Sequence, residues 1–272
     1  MRNTEKNSAR ATLASYTLAK RELVRFLCQR NRVFGALAQP VLLWAIFGSG
    51  LSASFRPAGT GEGMGYIEYF FPGTVVLILL FTAIFATISI IEDRNEGFLQ
   101  SVLVAPIPTH AVVAGKLAGT TVLAVAQALT LFLLAPVAGI GLSATAVFAA
   151  IPLLALIALG LGGLGFAIAW HMDSTQGFHA IMTAFLMPMW FLSGAFFPAA
   201  GTPAWLHLVI KLNPLTYGLA AMRRILYADD PAAVAGLPDL TTSLLVTAAF
   251  SVLTVIASVV AVSRGSRVMA RQ

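Results

Sequence analysis

Three groups of residues in this sequence are of types that can do chemistry. The first is a charge cluster. Glu92, Asp93, Arg94 and Glu96 fall within five positions of the stretch IIEDRNEGFLQSVLVAPIPTHAVVAGK, which runs from Ile90 to Lys116. Acids and a base packed so closely can hold a charged partner or carry force through ion pairs. The second group is Ser193-Gly194 with His179 and His207, which suggests an intramembrane serine protease. That chemistry needs the hydroxyl held by a base and beside an oxyanion site. Phe191 breaks the G-x-S-G pattern, and a hydroxyl bonded to its own helix is the simpler reading. The third group comprises GLGGLG (Gly160–Gly165) and HAVVAGKL (His110–Leu117), which look superficially like nucleotide-binding strings. No strand precedes the first, and the second lacks the leading Gly and the Ser/Thr of a P-loop. Neither is expected to bind ATP.

The elements that must position these residues follow from composition. The chain has 272 residues, 58% hydrophobic and 10% charged, with a mean hydropathy of +0.85. Soluble domains carry roughly a quarter charged residues. A helix crossing a ~30 Å hydrocarbon layer needs about 20 apolar residues, and six runs of that kind are present. They lie near 33–51, 70–91, 117–137, 144–170, 178–197 and 240–262. The expected fold is an all-α integral membrane protein. A cytoplasmic segment (1–32) precedes a transmembrane domain (33–265), and a short tail (266–272) follows. Polar, basic residues 1–32 do not read as a secretory signal. Cys28, the single cysteine, excludes an internal disulfide.

With both termini cytoplasmic, six spans leave only Arg56, Lys211, Arg223 and Arg224 on the far side, so 13 of the 17 Lys and Arg are inside. That bias sets the orientation expected in a cell membrane. The pI of 9.9 then reports topology and contact with anionic lipid rather than nucleic acid. The six runs contain no Lys, Arg, Asp or Glu, and their only histidine is His179. Ion-coupled transporters usually carry intramembrane acids or His chains, so the energy for any uphill movement should enter from outside the membrane.

Glycines offer close helix packing: Gly160–Gly165 in the fourth run, and Gly115 with Gly119 at the start of the third. Residues 11–32 suit an amphipathic helix on the membrane surface, with Leu13, Tyr16, Leu23, Val24 and Leu27 on one face. After the fifth run, Pro198, Pro203 and Pro214 exclude one continuous helix. Short helices dipping into the outer leaflet are expected there, anchored by Trp205 and Tyr217. In the charged stretch, Glu92, Asp93 and Glu96 suit the first turn of a new helix. Phe98, Leu99, Val102 and Leu103 would form its apolar side, and Pro106 would end it. That apolar face fits a protein groove better than an anionic membrane surface.

The charged stretch, with Gly97, Leu99, Leu103, Pro106 and GK at Gly115-Lys116, resembles the permeases of type-2 ATP-binding-cassette exporters, closest to the multidrug and daunorubicin-resistance branch. Two further motifs agree: YIEYFFPG (Tyr66–Gly73, with Phe70 and Pro72) entering the second span, and NPLTY with a later Arg (Asn213, Pro214, Tyr217, Arg223) after the fifth. The resemblance implies two permease copies, a homodimer or a pair with a homologous permease, and two separate ATPases. ATP and Mg would sit on the ATPase, and this chain would bind no cofactor. It also implies that the loop holding Glu92, Asp93, Arg94, Glu96, Gly97, Phe98, Leu99, Leu103 and Pro106 docks into the ATPase. The aromatic residues Phe185, Trp190, Phe191 and Phe196, without fixed charge, suit a hydrophobic or amphipathic solute such as a drug or lipid; ordinary packing or lipid-facing surface is the simpler reading of them. Polysaccharide or glycolipid export is the alternative, and a passive channel or scramblase is a further class. A co-purifying ATPase separates these readings.

Overall fold

The computed structural model describes residues 2–51, 64–105, 107–199 and 201–269. Pro106 and Arg56 fall outside them, and so does the side chain of Leu103. Ten α-helices make up this part: α1 (Arg2–Cys28), α2 (Arg30–Leu51), α3 (Tyr66–Asn95), α4 (Phe98–Val104), α5 (Thr109–Phe132), α6 (Ala144–Ala169), α7 (Thr175–Trp190), α8 (Ala204–Leu212), α9 (Pro214–Leu226) and α10 (Leu240–Met269). Six of them, α2, α3, α5, α6, α10 and α7 with its continuation to Ala195, are long and apolar enough to span a membrane. The all-helical, six-span architecture expected from the hydropathy is the one observed.

The core is α3. From Tyr69 to Ile91 nearly every residue is buried against α2, α5, α6 and α7. A sequence apolar on all sides can be buried on all sides. Around it, helices approach through small residues. A Cβ on Gly160 or Gly163 would meet α10 side chains at 2.7–2.8 Å, and one on Gly165 would meet Thr87 of α3 at 2.8 Å. Ser251 and Ser258 of α10 then donate hydrogen bonds to Leu156 O (2.7 Å) and Gly163 O (2.8 Å) of α6. GLGGLG is therefore a packing surface. In lipid, such hydrogen bonds between helices contribute about 0.6 kcal/mol each.

Two expectations change. The apolar run 70–91 understates its helix, which continues to Asn95 and stops only where Gly97 adopts a left-handed backbone (φ 76°). Glu92, Asp93 and Arg94 thus close the second span instead of opening a new helix. The third span likewise starts at Thr109 rather than near 117, which places Lys116 inside it. So the spanning helices do contain charged residues, at their ends. On α1 the expected apolar face points away from the bundle, apart from half-buried Leu23. Leu13, Tyr16, Val24 and Leu27 are exposed, while Ser15, Leu18, Glu22 and Phe26 form the face packed on α5. Gly115 and Gly119 make that approach possible: a Cβ at either would come within 2.6–2.9 Å of Ser15 O or Ala19 O.

The remaining features follow the sequence. Ala105, before Pro106, is extended (ψ 148°) and ends α4. Asn213 caps α9 and Pro214 occupies its first turn. Trp205, Leu208 and Leu212 on α8 are exposed.

Candidate coupling site and outer kink

At the end of α3 the side chain of Asp93 is fully buried. An isolated buried carboxylate would not stay ionised, and three cations surround this one. Arg21 donates two hydrogen bonds to it (3.0 and 2.7 Å), Arg25 one (2.5 Å), and Lys116 another from Nζ (2.5 Å). Lys116, 3% exposed, also reaches Glu22 at 2.7 Å, and Glu22 accepts from Ser89 Oγ at 2.7 Å. Arg25 and Arg32 pair with Glu92, and Glu96 lies 3.6 Å from Arg25 at the solvent edge. Four carboxylates thus face four cations, and the cluster draws on α1, α2, α3 and α5.

The arrangement resolves an electrostatic problem. Acids at a helix C-terminus oppose its dipole, so Glu92 and Asp93 would weaken α3 without the arginines of α1 and α2. In return, the hydrogen bonds to Asp93 raise the pKa of Arg21 above its usual range against the opposing effect of burial. The Arg21 guanidinium also lies over the Phe98 ring, 3.7 Å from its centroid. That cation–π contact ties α4 to the same cluster. Arg94 faces the other way. It donates to Trp170 O and Met172 O (3.2 Å), pairs with Asp173 (3.3 Å), and thereby fixes the α6–α7 connection against α3.

Of the loop residues read from sequence, Asp93, Glu92, Glu96 and Phe98 gather here. Leu99 does not present itself to a partner. It is 2% exposed and packs into the chain's own core. The free side of α4 is Gln100, Ser101 and Val104, the last 87% exposed. Arg21, Glu22, Arg25 and Arg32 were not read from sequence as site residues, and Lys116 was read only as part of the GK motif. The signal for Glu22 was its place in the 15-18-22-26 repeat on α1. For Lys116 it was its neighbour Gly115, which marks the packed face of α5.

The two other motifs meet at the opposite end of α3, where the fifth span breaks. After Trp190 the helix widens into one π-helical turn, Phe191–Ala195, with Gly194 at φ 84°. A break inside a span frees backbone carbonyls that need donors, and the motif side chains supply them. Tyr69 Oη donates to Gly194 O (2.9 Å), Tyr66 Oη to Phe196 O (2.9 Å) and Asn213 Nδ2 to Met189 O (2.6 Å). Arg223 donates to Gly194 O at 2.9 Å while its guanidinium lies 4.1 Å from the Tyr69 ring centroid. Tyr217 Oη instead binds Lys211 O within the outer helices. Gly73 lets the kink approach, since a Cβ there would be 2.8 Å from that of Ala195, and Trp190 donates to Gly73 O at 2.8 Å. Phe70 packs against Trp190 and Phe196, and Pro72 is buried one residue before Gly73.

Trp190 is therefore an enclosed structural residue and offers no surface to a solute. Phe185 and Phe191 are exposed, while Phe196 is half-buried against Phe47, Tyr66 and Phe70. The protease reading finds no support. Ser193 Oγ donates to Trp190 O of its own helix at 2.6 Å, and no histidine hydrogen-bonds it among the described residues. His179 stacks on Phe85.

The chain is similar to nodulation protein J of Sinorhizobium fredii, 28% identical over 70% of this chain and 72% of the relative. It is similar to the daunorubicin resistance ABC transporter permease protein DrrB1 of Streptomyces coeruleorubidus, 25% identical over 80% and 77%. It is also similar to the inner membrane transport permease YadH of Escherichia coli, 26% identical over 67% and 70%. Residues 14–227, which hold the ionic cluster, α4 and the outer kink, match the ABC-2 type transporter family, and the chain belongs to that family as a transport permease subunit.

Proposed function

We propose that this chain is the membrane half of an ATP-driven exporter that moves a hydrophobic or amphipathic solute outward. A separate ATPase supplies the energy from the cytoplasmic side, holding ATP and Mg itself, and a second permease copy completes the pathway. The observation that carries this reading is the buried ionic cluster at one end of α3. It welds α1, α2, α3 and α5 together beside α4, whose outer side is uncovered. Force applied to α4 passes through Phe98 and Leu99 into that block. Because α3 is packed along its length, a shift at Asp93 is carried to Tyr69, about 36 Å away at 1.5 Å per residue. There Tyr69 and Arg223 hold the kink of the fifth span. The permease names of the relatives DrrB1 and YadH agree with a transport role.

The test is reconstitution. In proteoliposomes the chain alone is expected neither to hydrolyse ATP nor to move solute; with the ATPase that co-purifies from native membranes it should do both. Solute accumulation by the chain alone, driven by a pH gradient, would overturn the proposal. Orientation has a direct readout, because Cys28 is exposed at the α1–α2 junction. A membrane-impermeant maleimide should modify it only after permeabilisation. A cysteine placed at the exposed Asp229 in a Cys28→Ser background should react from outside. Modification of Cys28 in intact cells would invert the topology.

A further inference from the structure

Beside the outer kink lies a cavity of about 470 Å³, bounded by Tyr69, the Phe191–Ala195 turn, α8, α9 and the segment leading into α10. That volume is within the range of small-molecule sites. Its walls are largely apolar, with Ile210, Leu219 and Leu237 among them, and its charged residues are Arg223 and Lys211. No carboxylate lines it; Glu68, Asp229, Asp230 and Asp239 all lie outside. Arg223 is only 5% exposed, and among the described residues no acid forms an ion pair with it. Its Nη2 serves Gly194 O, while its buried Nε has no acceptor. Such an arginine differs from every residue of the coupling cluster, where each cation has a carboxylate. A buried guanidinium without a counter-charge is unfavourable, and its planar fork is suited to phosphate or carboxylate oxygens.

We propose that this cavity binds the anionic headgroup of an amphiphile, a phosphate or carboxylate carried on an alkyl chain. Arg223 meets the headgroup from the buried side and Lys211 from the exposed side. Tyr217 and His207 line the same wall and offer further polar atoms. The alkyl chain lies along Ile210 and Leu219. The headgroup belongs either to an outer-leaflet lipid or to an exported solute. The site lies at the far end of α3 from the coupling cluster and is tested without ATP, so its failure leaves the transport reading untouched.

The test uses purified protein in neutral dodecyl maltoside, with binding followed by intrinsic tryptophan fluorescence and thermal shift. Dodecyl phosphate is expected to bind saturably at one per protomer, at least about tenfold more tightly than dodecanol or inorganic phosphate alone. Lys211→Glu, on an exposed position, should weaken it about tenfold with an unchanged melting temperature. Arg223→Gln should abolish it, and Arg223→Lys should restore it in part if charge is what matters. In nanodiscs, competition by phosphatidylglycerol against phosphatidylcholine assigns the headgroup to a lipid; absence of competition assigns it to a solute. Equal binding of dodecanol and dodecyl phosphate would overturn the proposal, as would dodecyl phosphate binding indifferent to Lys211→Glu.

Discussion

Asp93→Asn is expected to cost about 3–5 kcal/mol of stability, the range for breaking a buried ion pair by removing one partner, and to abolish transport. Asparagine is nearly the same size, so the effect is one of charge. Arg21, Arg25 and Lys116 would then share a buried site without the carboxylate that now accepts four hydrogen bonds. The Asn amide cannot accept from all of them. Losing the carboxylate would loosen α1 from α5 and free the end of α3. Glu96→Gln removes the same charge 61% exposed on the rim, and should cost under about 0.5 kcal/mol. The pair of variants separates burial from net charge. Adding Lys116→Met to Asp93→Asn takes away the cation left most deeply buried and should recover a large part of the loss, because apolar replacement of a buried pair is often neutral. The measurement is thermal unfolding in detergent together with ATP-driven transport. An Asp93→Asn protein that melts with the parent would show that the cluster contributes nothing net to stability.

The six spans and the three motifs were legible in the sequence because each rests on a local signal: a run of apolar residues, a proline, a glycine. The cluster was not, and the reason is physical. Hydropathy treats the first charge as the edge of a span, yet a charge with a partner at hydrogen-bond distance is tolerated inside a helix. Ile90 to Asn95 contains no residue that breaks a helix, and only Gly97 stops it. Lys116 and Glu22 lie 94 residues apart, so no local pattern could show that they meet. The direction of Leu99 was hidden for a related reason. A seven-residue helix with apolar residues on most sides does not say which of them its own protein covers. The same holds for Trp190, whose indole N–H turns inward to Gly73 O, 117 positions away. Only the meeting of α3 with the kink makes it structural.

That correction moves the proposed docking surface, and the two variants it distinguishes should fail in different ways. Val104→Asp changes the exposed tip of α4, 87% accessible in the free chain. It should leave folding and membrane insertion intact, since surface substitutions are usually within about 0.5 kcal/mol. If α4 seats in an ATPase groove, the variant forfeits the burial of a valine, about 1.5 kcal/mol or more, and also carries a carboxylate into an apolar contact. Each 1.4 kcal/mol is a factor of about ten in affinity. ATPase association should therefore fall by well over tenfold, and transport with it. Leu99→Asp does the reverse. It places a charge in the chain's own core beside α3, so the permease itself should lose thermal stability before any partner is offered. Co-purification of the ATPase, read against the melting temperature of the permease alone, separates the two effects. Full ATPase binding and full transport by Val104→Asp would mean that α4 rests on lipid and takes no part in coupling.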